Sequence, residues 1–257
     1  MPSSESVREP AAVPRPSGRL ALGAVLLLLV PVAVGLFIRP DVTRPPFQGL
    51  DDTWLRWMGG PHDGALRIVA DALNWFGGPA GSLVPLLAIV ALCVLRRWRS
   101  ALFVLFSVLA TQLVVQSLKH LVDRPRPEHP LITVDHGSFP SGHAATMAMT
   151  VIVAGALFVP AAARRRWWWP VGVLLVLTMM WSRTWLHAHW LSDTAAGAFA
   201  SAGVTLLVWS ACAVWMERDR GRGGAPAFAP DGLRANGSTA ASTAPNTSEP
   251  VGEGATR

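Results

Sequence analysis

Six apolar stretches without a single charge divide this chain, at residues 20–38, 72–95, 100–118, 144–163, 167–182 and 194–216. Each is close to the roughly 17–25 residues with which a helix crosses the hydrocarbon of a bilayer. A soluble domain has no use for six such runs, because its surface helices need a polar face. Inside lipid, every backbone N–H and C=O must be satisfied within its own segment, so spans of this kind are helices. The expected fold is therefore an all-α polytopic membrane protein, a six-transmembrane-helix bundle over residues 20–216. Residues 1–19 and 217–257 hold few large apolar groups and are expected to be disordered ends.

A formal net charge of +6 would suit a nucleic-acid binder, so its placement matters. Arginines gather before the first run (Arg8, Arg15, Arg19), between the second and third (Arg96, Arg97, Arg99), between the fourth and fifth (Arg164, Arg165, Arg166), and after the sixth (Arg218, Arg220, Arg222). In a six-span topology these places share one side. The positive-inside rule makes that side the cytoplasm and both termini cytoplasmic. The basic residues thus mark topology in a plasma membrane, and nucleic acid is excluded as a partner.

The tryptophans divide in the same way. Trp98, Trp167, Trp168, Trp169, Trp209 and Trp215 fall toward inner ends, and Trp54, Trp57, Trp75, Trp181, Trp185 and Trp190 toward outer ends, as interfacial belts do. Cys93 and Cys212 lie within spans and are expected to be buried free thiols. Trp54–Trp57 and Leu66–Phe76 have the mixed polarity of interfacial helices, and Gly77-Gly78-Pro79 should break the chain before the second span. The first apolar run is long enough to span and lacks an A-x-A-like site after it, so it reads as an uncleaved helix.

Chemistry collects on the outer side. One lysine, Lys119, stands beside twenty-one arginines. It opens the string Lys119–Pro127 at the exit of the third span. Pro140-Ser141-Gly142-His143 begins the fourth. Ser182-Arg183, His189 and Asp193 bridge the fifth and sixth. All seven histidines fall on this face. Each string alone has an ordinary reading, as a loop, a helix start or a structural pair. Together they read as an anion site. Ser141 can cap the fourth span at the positive end of its dipole, and Gly142 keeps the backbone open to an anion. Lys119, Arg126 and Arg183 supply the cations that a phosphoryl group requires. Asp193, four residues after His189, can fix the tautomer of that imidazole, and His143 can protonate a leaving oxygen. Asp123 and Arg124 are assigned to loop support as a local ion pair, with Arg124 also a candidate for a second phosphate.

These residues fit K-x6-R-P (Lys119, Arg126, Pro127), P-S-G-H (Pro140–His143) and S-R-x5-H-x3-D (Ser182, Arg183, His189, Asp193). The chain thereby resembles the type 2 phosphatidic acid phosphatase (PAP2) superfamily. The resemblance implies that His189 attacks phosphorus to form a phosphohistidine, that Asp193 orients it and that His143 protonates the leaving group. Lys119, Arg126, Ser141, Gly142 and Arg183 would bind phosphoryl oxygens, with no metal and no cofactor. His187, two residues from His189, is off the family spacing. The implied activity is that of a lipid phosphate phosphatase with membrane lipids around it, and the composition looks that of a GC-rich bacterium. That points first to undecaprenyl diphosphate, with phosphatidic acid and phosphatidylglycerophosphate as close alternatives. A phosphotransferase, or a non-catalytic lipid-binding or transport protein on the same scaffold, are the competing readings. Oligomeric state is not legible.

Overall fold

The computed structural model describes residues 18–159 and 163–222, and all regular structure among them is helical. The elements are α1 (Gly18–Ile38), α2 (Gln48–Trp57), α3 (Gly64–Gly77), a 3-10 turn at Pro79–Ser82 leading into α4 (Leu83–Val94), α5 (Trp98–Val122), α6 (Gly142–Phe158), α7 (Trp169–Trp185) and α8 (Leu191–Arg222). The disorder expected at 1–19 and 217–257 lies mostly outside the described residues. Where the two overlap the structure is helical: α1 starts at Gly18 and α8 continues to Arg222.

Among the described residues, three helices are long and apolar enough to cross a membrane, namely α1, α5 and the Leu191–Ala213 part of α8. The second expected span is not one helix. It is split into α3 and the Pro79–Val94 segment, which meet at a bend of 53° and could together make a fourth crossing. Its cause is local. Pro79 carries no N–H, and Gly81 passes so near the Phe76 carbonyl that any side chain there would collide with it. The fourth expected span is shorter than drawn, at 17 residues in α6, and the fifth is shifted toward the motif residues, with α7 running 17 residues from Trp169 to Trp185.

The bundle is inside out by the standards of a water-soluble protein. In α4 only Leu92 is buried, while Leu83, Leu86, Leu87, Val90 and Val94 face outward. On α1 the same holds for Leu22, Leu26, Leu29, Leu36 and Phe37. Apolar surface on this scale is costly in water and neutral against lipid tails. Cys93 follows from it: the thiol is exposed on the outward surface of α4, not buried as expected, and Cys212 is half-buried.

With lipid on both sides of the comparison, small residues and polar contacts hold helices together. The axis is α8, on which α1, α5 and α6 all pack. At Gly203 a Cβ would stand 2.7 Å from both the Ala24 carbonyl and the Leu28 side chain, so α1 and α8 touch nearly backbone to backbone. Thr111 of α5 and Ser201 of α8 share a hydrogen bond of 3.2 Å. Phe103 and Val104 meet Met149, Val153 and Ala156 between α5 and α6. At the end of the bundle opposite the motif residues, Trp98 and Trp215 stack edge to face at 5.1 Å, and the Arg99 guanidinium lies 4.8 Å over Trp98. Trp168 is instead a packing residue, its indole N–H donating to the Val151 carbonyl at 2.9 Å.

One contact couples this axis to the motif region. A Cβ on Gly197 of α8 would collide with the Ser141 carbonyl oxygen and lie 3.2 Å from the Ser141 nitrogen. Gly197→Ala is expected to cost about 1–3 kcal/mol by overpacking. Gly23→Ala, whose new methyl meets nothing within 4 Å, should be neutral or stabilising. Thermal unfolding in detergent compares the two, and equal curves would refute the contact.

Candidate active site

Four helix ends meet at one place: the C-termini of α5 and α7 and the N-termini of α6 and α8. Each end is shaped by its own sequence. Asp123 closes α5 in the left-handed conformation (φ 46°), its N–H returning to the Lys119 carbonyl at 2.9 Å. Pro125 and Pro127 then hold the chain extended. Ser138 pins this stretch, donating from its N–H to the Arg124 carbonyl at 2.7 Å and from its hydroxyl to the Pro125 carbonyl at 3.0 Å. The Ser141 N–H donates to the Asp193 carbonyl at 3.0 Å and so fastens the start of α6 to the start of α8. Beyond α7, His187 adopts φ 53°, and the turn it makes separates two neighbouring histidines. The ring of His187 goes to His62, at 5.2 Å between centroids, whereas His189 is buried in the site.

The His189 Nδ1–H donates to the Ser138 carbonyl at 2.7 Å, and Nε2 stands 3.2 Å from Nη1 of Arg126. This fixes the tautomer, with the lone pair on Nε2. Asp193 was expected to do so, yet its Oδ2 is 3.9 Å from Nδ1. That carboxylate is committed elsewhere: Oδ2 accepts the Trp190 N–H at 3.0 Å, and Oδ1 accepts Arg124 Nη1 at 2.8 Å. Burial first, and then the nearness of Arg126, Arg183, His143 and Lys119, push the His189 imidazole well below its ordinary value. It is neutral at neutral pH. The same five groups are those the motifs put together.

Arg126 spreads its fork widely. Nη1 donates to the Ala188 carbonyl at 2.6 Å, Nε to the Asp135 carbonyl at 2.9 Å, and Nη2 pairs with the Asp135 carboxylate. Lys119, nearly buried, points its ammonium at the same carboxylate (3.2 Å) and at the Gly137 carbonyl (3.3 Å). Burial alone would raise the Asp135 carboxyl, but Lys119 and Arg126 outweigh it and hold the group below its ordinary value. Arg183 is buried with Nη1 on the Asn74 side-chain oxygen at 2.7 Å, and its Nε has no partner. Ser141 occupies the N-cap position of α6 without capping it. Its hydroxyl is buried and unpartnered, so the expected side-chain cap is absent. Gly142 leaves open space, with only Val115 at 4.0 Å from an added Cβ. His143 is half-buried, and its Nε2–H donates to the Asn74 backbone carbonyl at 3.1 Å.

Several residues that matter here carry no motif. Asn74 seats both Arg183 and His143, and it does so because the break after α3 turns that helix across the site. Gly77 next to it must be small, since a side chain would run into the His143 ring. Arg124 differs most from expectation. Instead of pairing with Asp123 it is fully buried, with Nη2 on Asp51 (2.8 Å) and Gln48 (2.6 Å) and Nη1 on Asp193 (2.8 Å) and Ser192 (2.8 Å). Both Nη atoms are so engaged, and Nε is buried without a partner. Nothing in the sequence ties Asp51, far away in α2, to these residues. Among the described residues no group of three His, Cys, Asp or Glu side chains is arranged for a metal.

Removing one member of a buried ionic network strands the others. Arg124→Met should therefore destabilise the protein by about 3–5 kcal/mol, read as thermal unfolding in detergent. Arg124→Met combined with Asp51→Asn should recover part of the loss. An unchanged unfolding curve in the single variant would contradict the network.

Comparison with known proteins identifies the family. A model of the PAP2 superfamily matches residues 100–217. The decaprenylphosphoryl-5-phosphoribose phosphatase of Mycobacterium tuberculosis is 31% identical over 144 residues, 54% of this chain and 76% of that relative. The phosphatase of the same name from Mycolicibacterium smegmatis is 35% identical over 134 residues, 50% and 69% of the two chains. A crystal structure described as a transmembrane PAP2-type phosphatidylglycerolphosphate phosphatase from Bacillus subtilis superposes with a TM-score of 0.59. That match has 19% identity and covers 80% of this chain and 99% of the other. The chain belongs to the PAP2 superfamily.

Proposed function

We propose that this protein is an integral-membrane lipid phosphate phosphatase that works through a phosphohistidine on His189. The observation that carries this reading is the setting of that imidazole. It is neutral, held at Nδ1 by Ser138, and ringed by the three cations Lys119, Arg126 and Arg183. The Ser141 hydroxyl and Arg183 Nε, both buried and unpartnered, are available for phosphoryl oxygens. Gly142 leaves the N-terminus of α6 open to the same anion.

In the first step the Nε2 lone pair attacks phosphorus, a P–N bond forms and the P–O bond to the lipid breaks. The departing oxygen takes its proton from His143, which enters the step as an imidazolium favoured by the bound phosphate dianion and leaves it neutral. In the second step His143 accepts a proton from water as that water attacks phosphorus, and orthophosphate leaves with His189 restored. Lys119, Arg126 and Arg183 neutralise charge on the equatorial oxygens throughout. Asp193 acts from 3.9 Å on the positive imidazole formed by attack. No step requires a metal.

A groove explains how a lipid would be held. A cavity of about 940 Å³ is lined almost wholly by apolar side chains of α1, α6, α7 and α8, among them Leu27, Ile152, Val176, Phe199 and Leu206. Its upper lining includes Met180 and Ala195, close in sequence to Arg183 and Asp193. A long hydrocarbon tail would lie there while its phosphate meets His189. The names of the mycobacterial relatives draw the reading toward a polyprenyl lipid whose terminal group is a phosphomonoester. Undecaprenyl diphosphate shares the polyprenyl tail and stays as the second substrate to try. The six-crossing topology belongs to this reading as well, with the short α6 and α7 and the bent α3–α4 pair each counted as a crossing and the site outside the cell.

A panel of polyprenyl and glycerolipid phosphates, incubated with purified protein, tests the substrate class by released orthophosphate. His189→Ala should lose turnover by at least about a thousandfold and trap no phosphoenzyme, whereas His187→Ala should keep most of it. The opposite result would move the nucleophile. EDTA should leave the rate unchanged, and strong inhibition would refute the metal-free steps. For topology, Thr133→Cys in a background without Cys93 and Cys212 should react with an impermeant maleimide on intact cells. Labelling only after lysis would invert the orientation.

A further inference from the structure

The phosphoryl cradle already holds an anion, and the chain itself provides it. The Asp135 carboxylate lies 3.2 Å from the Lys119 ammonium and pairs with Nη2 of Arg126, two of the three cations assigned to the substrate. Arg126 in turn reaches Nε2 of His189 at 3.2 Å, so a single guanidinium separates the carboxylate from the attacking atom. Asp135 belongs to no motif, and the steps proposed above make no use of it.

Its segment is tied at two ends. Upstream, the Leu131 N–H donates to the Leu186 carbonyl at 3.0 Å. Downstream, Ser138 is bound to Arg124 and Pro125. Between these ties the chain reaches into the site, where Arg126 and Lys119 also donate to the carbonyls of Asp135, His136 and Gly137. Gly137 has φ 59°, which a side chain would resist, and an added Cβ would press the Lys119 stem at 3.1 Å. The two cations are nearly buried, but the Asp135 side chain is 61% exposed. It can rotate into water at little cost, and a half-exposed ion pair is a weak one. A phosphate dianion carries more charge and more acceptor oxygens, so it wins the two cations when present.

Resting on the phosphatase reading, we infer that Asp135 is a built-in competitor for the phosphoryl group. Its carboxylate occupies the Lys119–Arg126 subsite in the empty protein, gives way to the substrate phosphate, and returns as orthophosphate departs. The consequence is weak retention of the product: without a competing anion, three cations around one small dianion would hold it tightly.

The test uses inorganic phosphate as the probe and the purified full-length protein. Its Kd is measured by calorimetry without turnover, and its competitive Ki against whichever lipid phosphate the wild type hydrolyses. Asp135→Asn removes the charge and keeps the shape, Asp135→Ser does so with a different side chain, and Asp135→Glu restores the charge. In the Asn and Ser variants both constants should fall about fivefold to tenfold, while the Glu variant should stay near wild type. Values within about twofold of wild type in the uncharged variants, or weaker phosphate binding there, would overturn the inference. A wild type that hydrolyses lipid phosphate while the variants behave so would leave the phosphatase reading standing. A wild type that neither hydrolyses nor binds phosphate would sink both.

Discussion

The architecture of the site depends on one buried guanidinium. Arg124 follows the end of α5 and lies fully inside the protein between Asp51 of α2 and Asp193 of α8. Asp51 also accepts from the N–H and hydroxyl of Ser192, so a side chain from a separate helix completes the first turn of α8. Asp193 reaches further. Its carbonyl takes the Ser141 N–H, and its carboxylate takes the Trp190 N–H beside His189. Three motif strings far apart in sequence are thus fixed to one another through one aspartate, by its carbonyl and its carboxylate, and the arginine paired with it. Buried charges are expensive to desolvate, and each here is paired and hydrogen-bonded, which is the condition for keeping such a network.

That network also separates holding from reacting. Because Asp193 is occupied by Arg124, the imidazole is steadied by a backbone carbonyl, that of Ser138. A neutral acceptor stabilises the positive histidine less than a directly bonded carboxylate would. Asp193 still stands 3.9 Å from the ring, and in the proposed reaction the cations hold the phosphoryl group rather than the histidine. The carboxylate that meets those cations is Asp135, whose side chain is largely exposed.

Much of this was legible in the chain. Charge-free runs announced helices in lipid, since the length of an apolar run and the thickness of a bilayer are linked by geometry alone. The spacings around Lys119, Arg126, His143, Arg183, His189 and Asp193 pointed to one phosphate site, and those groups do converge. Gly77-Gly78-Pro79 marked a break, although the bend falls inside a run drawn as a single span. What could not be read were partners defined by another helix: Asn74 for Arg183 and His143, Asp51 for Arg124, Ser138 for His189, Asp135 for Lys119. Each lies at a sequence distance set by how helices pack, and no local periodicity records it.

The sequence by itself determined the class of fold and which chemical groups are gathered on one side of it. Apolar run length and the choice of cations, histidines and glycine are properties of residues and their near neighbours. Only the tertiary structure decided which carboxylate touches which base and where the helices bend. It also decided that two histidines two residues apart face different surroundings, and that a loop aspartate pairs with Lys119 and Arg126. Those outcomes follow from close approach between α8 and its neighbours. Gly197 and Gly203 allow that approach, and its geometry is the joint solution of all the helices together.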